Sequence, residues 1–230
     1  MLIAEELLLL CLDPESGRSR VGNDRLDPAL AGALLAELAL LERVGVTDEG
    51  TGWSAWTQRR RVTITDLRPT DDPELDLALQ TVAEGEGKPV KDFVTSFSRR
   101  RLSKGLRQRL LERLAAAGVL DRRAGTILGF IPSTTWPERD RRAEDEVRQR
   151  LHAALVAGVT PTERTVTLVA LLQVTGALTK VLDVEDRKAL KARAKVLSEG
   201  DWAAKAVKQA IDEAGAAAAS AAAGGASGGS

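Results

Sequence analysis

Aromatic residues, cysteine, methionine and histidine are scarce in this chain. Its 230 residues include four Trp, three Phe, no Tyr, one Cys, one Met and one His. A core with so few aromatics must be built from Leu, Val and Ala, which favours helix packing over a sheet sandwich. One cysteine excludes an intramolecular disulfide, which favours an intracellular setting, and the chain has no Cys/His spacing typical of a zinc site.

A net charge and a long apolar run are also missing. The 33 basic residues balance 33 acidic residues, whereas proteins dedicated to nucleic acid usually carry a basic excess. The longest apolar stretches, LLLLCL and VTLVALLQV, are shorter than the roughly 20 residues of a spanning helix. We therefore expect no transmembrane segment and contact with a membrane only at its surface. The first residues contain two glutamates and no basic leader, so we expect no signal peptide.

Helical patterning dominates the remaining sequence. Leu-rich segments with helical spacing recur along the chain and are followed twice by short β-prone stretches. This pattern predicts a mainly α fold, a single compact helical domain with short β-hairpins, over residues 1–214. Residues 215–230 contain only Ala, Gly and Ser, and we expect them to form a disordered tail because they cannot bury enough apolar surface.

Two local motifs predict where elements begin and turn. Asp27 and Pro28 fit the N-cap and N1 positions of a Leu-rich helix. The stretch DRRAGTILGFIP predicts a β-hairpin that turns at Arg123-Ala124-Gly125.

No set of residues with the spacing of a catalytic site is found. Cys11 lies in an apolar segment and is expected to be buried, and His152 is expected on a helix surface. Glu5, Glu6 and the acidic run 144–146 are expected to be surface or capping charges. No Gly-rich phosphate loop follows a strand. We therefore expect no enzyme activity, no metal site and no cofactor.

A basic helix is the clearest candidate for function. Residues 99–120, RRRLSKGLRQRLLERLAAAGVL, hold seven Lys or Arg and one acidic residue. Arg100, Lys104 and Arg107 fall within about 60° of one another on a helix. Acidic partners at helical spacing are missing, so we expect these cations to be unpaired and able to receive a phosphate; a plain solvated face fits the same pattern. Gly105 indicates a close approach to the backbone, by a ligand or by a crossing helix. Four leucines are expected to pack on the opposite side: Leu102, Leu106, Leu110 and Leu114.

The hairpin after the basic helix carries apolar residues at Ile127, Leu128 and Phe130. A two-stranded hairpin cannot bury both faces against one core. The hairpin either packs its apolar side on the body of the protein or forms an exposed element for membrane insertion or pairing.

Four segments in order resemble the Golgi phosphoprotein three family across residues 1 to about 210. They are MLIAEELLLLCL, LLAELALLERVGV, RQRLLERLAAAGVL followed by a hairpin, and TERTVTLVALLQV. The resemblance implies a mostly helical domain that binds phosphatidylinositol 4-phosphate at membrane surfaces. Bacterial members are cytoplasmic proteins of about this length, and eukaryotic members help to retain glycosyltransferases at the Golgi.

The resemblance also assigns site residues by position. Lys104 and Arg107 take the places of an Arg-x-x-Arg pair that binds the headgroup, and Arg100 supports them from the same basic face. Two further headgroup positions, a Trp and an Arg in the family, are Gly22 and Ala31 here. The family hairpin is implicated in membrane contact and self-association, which assigns that role to the three apolar hairpin residues named above.

Three functions follow as hypotheses. The first is a cytoplasmic adaptor, peripheral on the inner membrane face, that binds an anionic phospholipid headgroup through the basic helix and forms a homo-oligomer through the hairpin. The second is a winged-helix DNA-binding regulator that uses the same helix; zero net charge disfavours nucleic acid as a partner. The third is a protein-interaction module without a ligand, in which only the hairpin matters.

Overall fold

The computed structural model describes residues 1–47, 61–99, 102–127, 130–199, 201 and 203. Within these residues the chain forms nine helices: α1 (Ile3–Cys11), α2 (Asn23–Leu40), α3 (Pro73–Ala83), α4 (Val90–Arg99), α5 (Leu102–Ala116), α6 (Arg142–Leu155), α7 (Glu163–Thr175), α8 (Leu178–Val181) and α9 (Arg187–Ser198). It also forms four strands: β1 (Val44–Thr47), β2 (Arg61–Ile64), β3 (Arg123–Ile127) and β4 (Ile131–Thr135). The prediction of a mainly α fold with short β-hairpins is confirmed.

Helix α2 lies at the centre of the core. It packs against α1, α3, α4, α5 and α7. Helix α1 is buried along its whole length, including Cys11, whose thiol pKa is raised by burial to about 12. Because the helix interfaces are made mainly of Leu, Ala and Val, the core closes with very few aromatic side chains. Four leucines of α2 follow the helical spacing and are fully buried: Leu26, Leu30, Leu34 and Leu38.

Helix α2 begins one turn earlier than its N-cap motif predicts. It starts at Asn23, so Asp27 is not the N-cap and Pro28 lies inside the helix. Pro28 lacks the N–H that would reach the carbonyl of Asp24. Asp24 is exposed, so water can satisfy that carbonyl. Burial of Leu26 against the core favours the longer helix.

The hairpin turn predicted at Arg123-Ala124-Gly125 is wrong. Those three residues belong to β3, and Ile127 pairs with Ile131 at the far end of the two antiparallel strands. The β-branched Thr and Ile residues near that end favour extended backbone and move the turn beyond them.

Glu5 and Glu6, expected to be surface or capping charges, are both buried at the start of α1. The capping role is correct for Glu5, whose Oε2 accepts from the Leu2 N–H at 2.8 Å. Arg113 reaches Glu5 with Nε at 3.0 Å, and Arg150 reaches Glu6 with Nη2 at 2.9 Å. Buried carboxylates require such partners. These ion pairs attach the first turn of α1 to α5 and α6. His152 of α6 is exposed, as predicted.

A third glutamate of that group, Glu144, is also buried and forms a carboxyl pair with Glu138. The Glu138 side chain is 4% exposed. Burial and then the charge of Glu144 raise the pKa of Glu138 to about 7, with Asp145 adding to the rise and Arg141 opposing it. Arg148 donates to Glu144 at 2.6 Å, which favours the proton residing on Glu138.

This pair predicts a loss of stability as pH rises. The pKa of Glu138 is raised from 4.5 to about 7, so between these values the native protein binds more protons than the unfolded chain and the free energy of unfolding falls with rising pH. Glu138→Gln mimics the protonated form. We expect it to raise the free energy of unfolding at about pH 8 by about 1–2 kcal/mol. At about pH 5 we expect little change.

Urea unfolding of both proteins at the two pH values measures this difference. Glu146→Gln, at an exposed residue of α6, is the matched control and should follow the wild-type pH profile. An identical pH dependence in Glu138→Gln and wild type would contradict the prediction.

Candidate anion-binding site

Helix α5 presents one apolar face and one basic face. Leu106, Leu110 and Leu114 are buried, which confirms the predicted packing face for the leucines whose side chains the structure describes. The helix contacts α1, α2 and α4 through this face. Its arginines therefore lie at the border between the core and solvent, where neighbouring helices can reach them.

Arg107 is paired, in contrast to the expectation of a free cation. Its Nη1 donates to Oδ1 of Asn23 and, at 3.1 Å, to Oδ1 of Asp27. The Arg107 side chain is 24% exposed and that of Asp27 is 13% exposed. Both acceptors lie on α2, so a search for acidic partners along α5 itself could not find them.

Two other arginines of α5 have structural partners. Arg109 makes a bidentate contact with Glu74 of α3, from Nε at 2.6 Å and from Nη2 at 2.8 Å. These hydrogen bonds raise the pKa of the Arg109 guanidinium. Arg113 makes a similar contact with Asp72 at 3.0 and 2.8 Å. These two cations fix α5 against α3 and α1 rather than offering charge to a ligand.

The close approach indicated by Gly105 is that of Arg109. A Cβ at Gly105 would lie 2.7 Å from Nη1 of Arg109. The guanidinium therefore lies across the helix surface at Gly105 on its way to Glu74.

Arg107 retains donors for a ligand. Within the described part of the chain, both contacts of Arg107 use Nη1, and neither Nε nor Nη2 is a buried atom without a partner. These two nitrogens form one planar edge with parallel N–H donors, which matches a phosphate in a bidentate contact. One edge of the guanidinium is anchored to α2 and the adjacent edge reaches solvent.

The structure places the other predicted headgroup residues only in part. Lys104 belongs to α5, one turn before Arg107, and its side chain lies outside the described part. Arg100 lies outside the described residues. Ala31 is fully buried in α2, so the implied Arg position faces the core here. Gly22 directly precedes α2, and a Cβ there would lie 2.2 Å from Oδ1 of Asp24.

Asn23, Asp24 and Asp27 are the site residues that sequence reasoning missed. All three lie in the first turns of α2, next to Gly22 or Arg107. The sequence offered a signal only for Asp27, and that signal pointed to helix capping. The contact from Asp27 to Arg107 joins residues 80 positions apart, which no local spacing reveals.

Comparison with known protein families agrees with this architecture. The family model described as Golgi phosphoprotein 3 (GPP34) matches residues 3–214. The chain belongs to the Golgi phosphoprotein 3 family. This confirms the resemblance found in the sequence and covers the chain from α1 to beyond α9. A search of curated proteins found no match.

The hairpin of this Golgi phosphoprotein 3 family member ends in an exposed aromatic side chain. Phe130 lies in the connection between β3 and β4 and is 75% exposed. Leu128 lies outside the described residues, and of Ile127 only the backbone pairing is described. The end of the hairpin therefore presents an apolar side chain to solvent.

Neither a membrane-spanning helix nor a metal site is found in the described part of this family member. None of the helices there is long and apolar enough to cross a membrane. Among the described residues, no group of three or more His, Cys, Asp or Glu side chains could hold a metal ion.

Proposed function

We propose that this member of the Golgi phosphoprotein 3 family binds an anionic phospholipid headgroup of the phosphatidylinositol 4-phosphate type. Arg107 contacts the phosphate, and Lys104 and Arg100 add positive charge. The protein then acts as a peripheral adaptor without enzyme activity on the cytoplasmic face of the inner membrane. The observation that carries this proposal is the Nε–Nη2 edge of Arg107, which has no protein partner in the described part of the chain.

The basic residues alone give weak attachment. A cation near an anionic membrane surface contributes about 1 kcal/mol, so three contribute about 3 kcal/mol. That free energy corresponds to a Kd weaker than about 1 mM.

The hairpin offers the second contact that firm attachment needs. Burial of one large apolar side chain such as Phe130 adds about 1.5–3 kcal/mol. Self-association through the hairpin would bring a second basic helix to the same surface. The exposure of Phe130 supports both contributions.

Vesicle flotation tests the proposal. We expect the protein to float with phosphatidylcholine vesicles that carry phosphatidylinositol 4-phosphate and not with phosphatidylcholine alone. Lys104→Ala combined with Arg107→Ala should weaken binding by about 2 kcal/mol, roughly thirtyfold, because two cations leave the surface. The control Lys188→Ala plus Lys191→Ala removes the same charge from exposed positions of α9 and should bind like wild type.

Other outcomes would decide against the proposal. Equal recovery on both vesicle types, unchanged by the Lys104 and Arg107 substitutions, would refute headgroup binding. DNA binding that falls steeply with salt and is lost in the same double variant would favour the DNA-binding alternative. Dimerisation that depends on Phe130, without any effect of the cations, would favour the interaction module.

A further inference from the structure

A carboxylate of α2 lies beside the cation that the proposed function uses. Oδ1 of Asp27 accepts from Nη1 of Arg107 at 3.1 Å. The second turn of α2 therefore brings negative charge next to the guanidinium of α5 that a phosphate would approach.

The Asp27 carboxylate is not required to cap α2. The helix begins at Asn23, four residues before Asp27, so Asp27 lies in the second turn, where the backbone N–H groups have partners within the helix. Its carboxylate is directed at Arg107 instead, and the pair is only partly exposed. Asn23 already supplies a neutral oxygen to the same Nη1 atom, so orientation of the guanidinium does not depend on a second acceptor that carries charge.

We infer that Asp27 is a built-in counter-charge that lowers the affinity of Arg107 for a phosphate group. This inference rests on the proposed function. A phosphate bound to the Nε–Nη2 edge would lie close to the Asp27 carboxylate, which already neutralises part of the guanidinium charge. The repulsion between the two anions opposes binding, and partial burial limits its screening by water. Asp27 thus sets the affinity of the site without touching the ligand.

Asp27→Asn separates charge from geometry. The asparagine keeps an oxygen that can accept from Nη1 of Arg107 and removes the negative charge. We expect the variant to bind vesicles of phosphatidylcholine and phosphatidylinositol 4-phosphate about three- to tenfold more tightly than wild type. Glu146→Gln makes the same charge change at an exposed residue of α6 and controls for general attraction to an anionic surface.

A titration with inorganic phosphate separates the headgroup from its membrane. The Nε–H resonance of Arg107 in an NMR spectrum reports binding at the guanidinium itself. Asp27→Asn should again bind more tightly than wild type, because the counter-charge acts on the phosphate whatever carries it.

The outcomes are distinguishable. Tighter binding by Asp27→Asn but not by Glu146→Gln supports the counter-charge. Wild-type binding that Asp27→Asn leaves equal or weakens overturns this inference and leaves the proposed function intact, since Asp27 would then only position Arg107. No vesicle binding by either protein overturns the proposed function and the inference with it.

Discussion

Gly17→Ala is expected to lower the free energy of unfolding by about 3–5 kcal/mol. Gly17 has φ +62°, and a Cβ there would lie 2.1–2.3 Å from backbone atoms of Trp136 and Pro137. Its carbonyl accepts from the Trp136 N–H at 3.3 Å. Because backbone atoms cannot rotate away as a side chain can, the α1–α2 loop and the end of β4 would have to separate. Thermal and urea unfolding measure the loss.

A matched control isolates the clash from the cost of the backbone conformation. Gly158 has φ +75°, and no neighbour in the described part of the chain lies within 4 Å of the point where its Cβ would stand. Gly158→Ala therefore carries only the left-handed conformational cost, about 1–2 kcal/mol. If Gly17→Ala lowered the free energy of unfolding no more than Gly158→Ala, the prediction would be contradicted. The backbone of Trp136 and Pro137 would then be able to move away from Gly17 at little cost. The junction between the α1–α2 loop and the end of β4 supports the base of the β3–β4 hairpin.

Glu74→Ala is expected to lower the free energy of unfolding by about 2–3 kcal/mol. The Glu74 side chain is 6% exposed and its bidentate partner, Arg109, is 35% exposed. Removal of the carboxylate leaves a partly buried guanidinium without its partner and loosens α5 from α3. Urea unfolding of Glu74→Ala and of wild type measures this loss of stability. Glu112→Ala, at an exposed residue of α5, should cost much less.

Gly105 provides a further check on the same contact. Gly105→Ala alone should raise the free energy of unfolding by less than the roughly 1 kcal/mol that helix propensity predicts. The reason is that the new Cβ would lie 2.7 Å from Nη1 of Arg109. In the Glu74→Ala background the Arg109 guanidinium is free to move, so Gly105→Ala should then raise the free energy of unfolding by the full amount. Additive effects of the two substitutions would contradict the proposed arrangement of Arg109.

Local patterns predicted those features that depend on neighbouring residues in the chain. The leucine spacing placed Leu106, Leu110 and Leu114 in the core, and the apolar setting of Cys11 indicated its burial. Both were correct because burial of a helix face follows from a period that the sequence displays. The hairpin was also correct as an element, although its turn lay beyond the predicted residues.

The same reasoning failed where a residue type has more than one use. Asp27 before Pro28 is typical of a helix start, yet the helix begins one turn earlier because Leu26 packs in the core. Glu5 and Glu6 were expected to be surface or capping charges, and Glu5 does accept from the Leu2 N–H, but both side chains are buried, where isolated charge is costly. They are buried because Arg113 and Arg150 reach them from distant helices.

The sequence by itself determined the helical class, the leucine faces, the presence of two hairpins and membership of the family. Each of these follows from composition, periodicity or ordered segments. Only the tertiary structure decided which of the described arginines of α5 keeps an edge for a ligand. Arg107 and Arg109 are two residues apart in one helix, yet Arg109 meets Glu74 of α3 with both of its edge nitrogens, and Arg107 meets Asn23 and Asp27 with one. Ion pairs across helices depend on how the helices pack, and that packing is set by the whole core rather than by the residues of the pair.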